Sequence, residues 1–381
     1  MVRLLAALAG IALIIVVLVD AFETVVLPRR VTRRLRLVRL FYRVTWPVWR
    51  SAVRSLFSGK RQENYLSYFG PLSLPALLVF WALVLITGFG LLYWAPGGAL
   101  KTPEGVASLG ACLYFSGTTF FTLGLGDISP HTSFARFVIV LESGMGFAFL
   151  ALVISYLPAL NASFSRREVN ISLLDARAGS PPTAAEMLRR HAGHSAEESL
   201  IQLMHGWERW SAELFESHLS YPVLVYFRSQ HDNQSWLAAL TAILDASAFL
   251  MINGKGAVLR QAQLTFAMAR HAIVDLALVL HAAPQRPPAD RLPGETAAAL
   301  HVMLAGEGMD LRKGHEGADE LTELRKTYEP YLQALSLRLR LSLPPWMLAR
   351  SQRDNWQLSI TAGDAGSRRA GRPTDHDEEH F

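Results

Sequence analysis

The run Thr122-Leu123-Gly124-Leu125-Gly126-Asp127 lies between two apolar stretches, each long enough to cross a bilayer. This placement constrains the fold more than any other feature. Irregular backbone at membrane depth is tolerated only where it is packed in protein or lines a water-filled cavity. Two glycines without a β-carbon reach φ values closed to other residues, so successive carbonyls can turn the same way. A column of such oxygens can replace the hydration shell of a cation.

Hydrophobic residues make up 51% of the 381 residues and charged ones 18%, a balance that implies a membrane part joined to a soluble part. Three apolar runs, residues 4–27, 72–95 and roughly 134–157, can cross about 30 Å of hydrocarbon. The first has no small-residue cleavage site and reads as a retained helix. Eleven Lys and Arg and no acid fall between residues 28 and 62, which places that connection on the cytoplasmic side. The N-terminus is then outside, residues 96–133 lie on the outer side or dip back into the membrane, and everything after residue 157 is cytoplasmic. The one cysteine, Cys112, excludes an intrachain disulfide and reads as packing.

Residues 107–121 are apolar but too short to span, and they run straight into the glycine motif and Ile128-Ser129-Pro130. This reads as a re-entrant helix and loop. A helix ending near Phe121 aims its negative dipole end at the pathway and favours cations. The stretch Thr118-Thr119-Phe120-Phe121-Thr122-Leu123-Gly124-Leu125-Gly126-Asp127, set between apolar helices, resembles the pore domain of the potassium channel family, whose common filter reads Thr-Val-Gly-Tyr-Gly-Asp. The resemblance covers about residues 72–158. It implies an ion-binding filter from Thr122 to Gly126, with K+ held by the carbonyls of Thr122, Leu123, Gly124 and Leu125 and by the Thr122 hydroxyl. It also implies support from Asp127 behind the filter, a gating hinge at Gly144 or Gly146, and a homotetramer, since one loop cannot surround an ion. Leu125 replaces the usual tyrosine, which removes a hydroxyl anchor but no ligand. For Gly144 and Gly146 the alternative is close helix packing.

Glu142 lies within a membrane span, where an acid faces protein or water. It can brace the filter near Thr118 or Thr119, tune cation affinity, or serve as a satisfied carboxyl at a helix contact. Asp20 and Glu23 precede the basic block and are expected to pair with Arg29, Arg30 or Arg33. His131 sits just outside the filter, as a pH-sensing group or an ordinary loop histidine. Arg30, Arg33, Arg36 and Arg39 recur every third residue, but only one span precedes them, so an interfacial helix touching anionic lipids of the inner leaflet is preferred over a voltage sensor.

Beyond residue 158 the patterns at 197–218 and 236–251 are helical. A proline-rich break at 283–294 precedes a further helical block at 296–343, and residues 363–381 read as a disordered tail. Leu335, Leu337, Leu339, Leu341 and Leu343 alternate as in a strand, yet a face reaching back to Tyr328 favours helix. The pairs His205 with Glu208 and His271 with Asp275 have helical spacing suited to a metal, though surface or core histidines are the default. No nucleotide-binding glycine motif or catalytic cluster is present, so neither enzyme, nor cofactor, nor nucleic-acid partner is expected.

The expected architecture is an all-α membrane protein: an N-terminal transmembrane helix (1–28), a basic linker (29–71), a pore domain with a re-entrant helix (72–158), an all-α cytoplasmic domain (159–362) and a tail (363–381), three spans in all, in the cell membrane. Two alternatives stay open. One is a non-selective cation channel, and the other a receptor that uses a pore-like scaffold.

Overall fold

A computed structural model describes residues 1–26, 37–102, 105–193, 197–229, 234–311 and 317–348. Arg29, Arg30, Arg33, Arg34 and Arg36, and the tail at 363–381, lie outside the described residues. Helix α1 (Val2–Ala21) ends in a single π-helical turn, Phe22–Val26. It lies along α4 (Phe69–Trp94), which follows α2 (Leu37–Leu56) and α3 (Gly59–Ser67). A β-carbon on Gly10 would stand 2.6 Å from the Gly88 carbonyl oxygen, and one on Gly88 would stand 2.8 Å from Ile14. Small residues thus let the two backbones approach as transmembrane helices do.

After α4 come two short strands, β1 (Leu100–Thr102) and β2 (Gly105–Val106), the short helix α5 (Leu109–Phe120) and a third strand, β3 (Ser129–Pro130). The strand order is β2-β1-β3, antiparallel, with Lys101 opposite Ser129. This small sheet was not anticipated. It ties the segment after the glycine motif to the end of α4.

Helix α6 (Ser133–Ala178) has 46 residues, roughly 69 Å at about 1.5 Å per residue. It runs from beside α5 through Pro158 into the helical domain without a break. Around its far end pack α7 (Ala184–Arg190), α8 (Glu197–Ser220), a 3-10 turn (Pro222–Tyr226), α9 (Trp236–Asn253), α10 (Gly256–Val279), α11 (Gly294–Gly306), α12 (Gly317–Arg325) and α13 (Glu329–Leu339). Residues 335–339 are therefore helical. Arg340 closes α13 in the left-handed conformation, so the leucine alternation continues past the helix without forming a strand.

Among the described residues, five helices are long and apolar enough to cross a membrane: Val2–Thr24, Arg61–Trp94, Ser133–Ala178, Trp236–Asn253 and Gly256–Val279. They differ in surroundings. Helices α1, α4 and α6 leave rows of large apolar side chains exposed, among them Leu4, Leu8, Val79, Leu83, Phe147 and Ile154. Helix α9 is instead sheathed by protein: Leu237, Leu240, Ile243 and Leu244 have no exposure and form the centre of the helical domain's core. Asp245, in the middle of α9, meets Arg291 at 2.6 Å and the Tyr328 hydroxyl at 2.8 Å. Arg291 also contacts Glu329, which pairs with Arg325.

Candidate functional site: the glycine loop and its supports

Helix α5 starts at Ser108, whose side chain accepts the Ala111 N–H. Its C-terminal carbonyls are orphaned by helix geometry, and the glycine loop satisfies them. The Leu123 N–H donates to the Thr118 carbonyl at 2.7 Å, with Gly124 at 3.4 Å, and Thr122 donates to Thr119 at 2.9 Å. Both threonines therefore hold the loop through their backbone, while the Thr118 hydroxyl turns back to Phe115.

The loop backbone alternates. Thr122, Gly124 and Gly126 have φ of 57°, 57° and 82°, whereas Leu123 and Leu125 are not in the left-handed region. A peptide chain alternating between left- and right-handed residues points its carbonyls to one side. A β-branched residue such as Thr122 at positive φ is strained, and strain of this kind collects at functional sites. No backbone or side-chain hydrogen bond among the described residues takes the carbonyls of Thr122, Leu123, Gly124 or Leu125. Leu123 and Leu125 are both exposed in the single chain.

Helix α5, which carries the loop, is fastened to its two neighbours. Glu142 of α6, fully buried, accepts from the Tyr93 hydroxyl of α4 at 2.7 Å and from Ser116 of α5. Its partners are thus Tyr93 and Ser116 in place of Thr118 or Thr119. Helical phase turns Thr118 off the inward face of α5, which Cys112, Phe115, Ser116, Thr119 and Phe120 form, and on that face it is the Ser116 hydroxyl that reaches Glu142. Ser116 and Tyr93 were missed in the sequence, although a serine one turn before the paired threonines is a visible signal.

At Gly146 the backbone of α6 touches the end of α5, and an added β-carbon would sit 2.0 Å from the Phe120 carbonyl oxygen. At Gly144 nothing lies within 4 Å. Gly146→Ala is therefore expected to displace the end of α5 and lower the thermal midpoint of the purified protein, while Gly144→Ala leaves it close to wild type. Overpacking of this kind costs about 1–3 kcal/mol. Equal midpoints for the two variants would refute the contact.

Asp20 does not stand free at the interface. It is 4% exposed and accepts from the Val38 N–H and the Trp81 indole. Glu23 lies in the π-helical turn. His131 is exposed, with its N–H on the Ala99 carbonyl. Glu208 accepts from Gln261, His271 pairs with Asp275 at 3.4 Å, and no group of three or more metal-binding side chains occurs among the described residues.

Farther along α6, Arg167 is buried and ties this helix to the helical domain. It donates to the Leu224 and Phe227 carbonyls at 2.9 and 2.8 Å and pairs with Glu168. The 222–227 segment it holds also presses on α4, where a β-carbon on Gly70 would fall 2.9 Å from the Tyr226 carbonyl oxygen. Tyr226 stacks on Tyr42 of α2. His218 of α8 bonds through Nδ1 to the Leu214 carbonyl at 2.8 Å, so Nδ1 carries the proton and Nε2 faces the Arg167 guanidinium.

Burial, with Arg167 adding to it, pushes His218 down to about 3. Since the unfolded histidine titrates near 6.5, His218 contributes stability that is complete above that pH. The contribution declines by about 1.4 kcal/mol per pH unit between 6.5 and about 3. Urea midpoints are expected to fall on acidification over this window, and less so in His218→Gln. An identical pH profile in that variant would refute it.

Residues 78–161 match the family model described as an ion channel. The uncharacterized membrane protein YdjJ of Bacillus subtilis (strain 168) is 25% identical over 257 residues, covering 65% of this chain and 74% of that protein. No solved structure matches the chain. The chain is a membrane protein carrying an ion-channel domain, and that domain contains the whole loop, Glu142 and both glycines of α6.

Proposed function

We propose that this chain is one subunit of a homotetrameric potassium channel of the cell membrane, with Thr122 to Gly126 as its selectivity filter. The alternation of positive φ at Thr122, Gly124 and Gly126 carries this reading, because it frees a column of carbonyls to replace the water around K+. One filter strand cannot enclose an ion, and the exposed Leu123 and Leu125 are side chains that a neighbouring subunit would cover. Glu142, Tyr93 and Ser116 brace the filter from behind. Gly144 and Gly146 allow α6 to bend as the pore opens.

Three spans are proposed, α1, α4 and the first part of α6, with the N-terminus outside and the helical domain cytoplasmic. Helices α9 and α10 stay in the soluble domain. The ion pair of Asp245 with Arg291 supports this for α9, since a buried carboxylate needs such a partner and the surrounding helices already cover its apolar face. The exposed stripe Leu40, Val44, Val48 and Leu56 on α2, flanked by Arg39, Arg43, Arg50 and Arg54, suits a helix lying on anionic lipid of the inner leaflet.

Reversal potentials of the reconstituted protein under opposed K+ and Na+ gradients test selectivity. The expected result is a reversal that follows K+, lost in Thr122→Ala. Leu125 in place of a tyrosine favours one competing reading, a non-selective cation channel. Equal K+ and Na+ permeability in the wild type would establish it, and absence of any flux would overturn both.

A further inference from the structure

We propose that the cleft between the cytoplasmic part of α6 and α8 binds a small zwitterion with an apolar body, of the amino-acid or betaine kind, and that the occupant tightens the hold of the helical domain on α6. The binding half stands by itself; the second half rests on the channel reading above.

The cleft encloses about 580 Å³, within the range of small-molecule pockets. Its walls carry charges of both signs, Arg166 and Arg167 from α6 and Glu213 and Glu216 from α8. This balance suits neither a bare anion nor a bare cation and fits a molecule bearing both. The apolar surface between them comes from Ala162 and Leu214.

Trp210 lines the same cleft, is 2% exposed, and its indole N–H has no acceptor among the described residues. A buried donor left unpaired is destabilising, and an acceptor such as a ligand carboxylate relieves it. Arg166 spends one donor on Ser163 at 3.1 Å and has others to offer, since a guanidinium carries five N–H groups. Opposite, Glu213 takes Arg209 and Glu216 takes Ser220, and each carboxylate retains lone pairs for an ammonium group. Such a ligand would bridge α6 to α8 next to Arg167, which already joins α6 to the 222–227 segment.

The full-length protein, purified in detergent, is titrated with leucine, glycine betaine and phosphoethanolamine while tryptophan fluorescence and the thermal midpoint are followed. Acetate and tetramethylammonium serve as single-charge controls. The expected result is a saturable response to a zwitterion and none to either control. Arg166→Gln and Glu213→Gln should each weaken the apparent Kd at least about tenfold, with folding judged by the unliganded midpoint. Response to phosphoethanolamine alone, repeated in nanodiscs with and without phosphatidylethanolamine, assigns the ligand to a lipid headgroup; response to leucine or betaine assigns it to a free metabolite. No saturable response, an equal response to the controls, or a response unchanged in both variants overturns the site.

Flux in liposomes then separates the two readings. A conducting wild type whose flux shifts with the zwitterion, and does not in Arg166→Gln, supports control of the pore. Binding without any shift overturns that control. Binding by a protein that never conducts leaves the site standing and refutes the channel.

Discussion

Gly124→Ala is expected to abolish potassium flux, by at least about a hundredfold, in protein that still assembles. Gly124 sits at φ 57° with open space around the position of a β-carbon, so the substitution meets no neighbour in its own chain. The cost is conformational: an alanine held in the left-handed region loses about 1–2 kcal/mol, and in the proposed tetramer the loss is paid four times, roughly 4–8 kcal/mol at one filter. The backbone escapes by rotating the 124 peptide out of the alternating pattern, which takes carbonyls away from the pathway. Liposome flux checks the loss, and size measurement of the purified protein checks assembly. Flux at wild-type level would show that the alternating backbone at Thr122, Gly124 and Gly126 is not what conducts.

Arg167→Ala is expected to destabilise the helical domain by about 3–5 kcal/mol, the range for breaking one side of a buried ion pair. The substitution orphans the Leu224 and Phe227 carbonyls and leaves Glu168 without its partner. Because the 222–227 segment also packs on the start of α4 and on α2, its release should loosen the helical domain from the membrane helices as well. Arg167→Lys is expected to recover little, since an ammonium cannot present the planar fork that reaches two carbonyls and a carboxylate together. Urea or thermal unfolding measures the loss, and protease sensitivity of residues 222–227 measures the release. Full rescue by lysine would mean that charge alone, and not the fork, holds the segment.

The parts of this protein that were legible beforehand are those written in short spacings. The glycine run, the three apolar runs of membrane length, the helices around 197–218 and 236–251, and the proline-rich break after α10 all depend on residues close in the chain. The supports of the glycine loop are different. Tyr93 meets Glu142 from 49 residues away, and Arg167 meets Leu224 and Phe227 from 57 and 60. Glu142 could be recognised as an acid needing a partner, but that the partners are Tyr93 and Ser116 depends on how α5 packs against α4 and α6.

Hydropathy has a related blind spot. Helix α9 is apolar and long enough to span, and apolar side chains are satisfied equally by lipid or by other helices, so composition alone does not say which surrounds it. Its burial among the helices of the domain and the ion pair of Asp245 with Arg291 come only from the three-dimensional arrangement. What the amino-acid sequence determined alone is the local backbone: which runs are apolar and long enough to span, where the chain breaks between helices, and which residues tolerate positive φ, since these follow from side-chain size and polarity within a few residues. Tertiary structure decided which distant hydroxyls, carbonyls and guanidinium groups hold that backbone in place. Buried polar groups must find partners wherever packing delivers them.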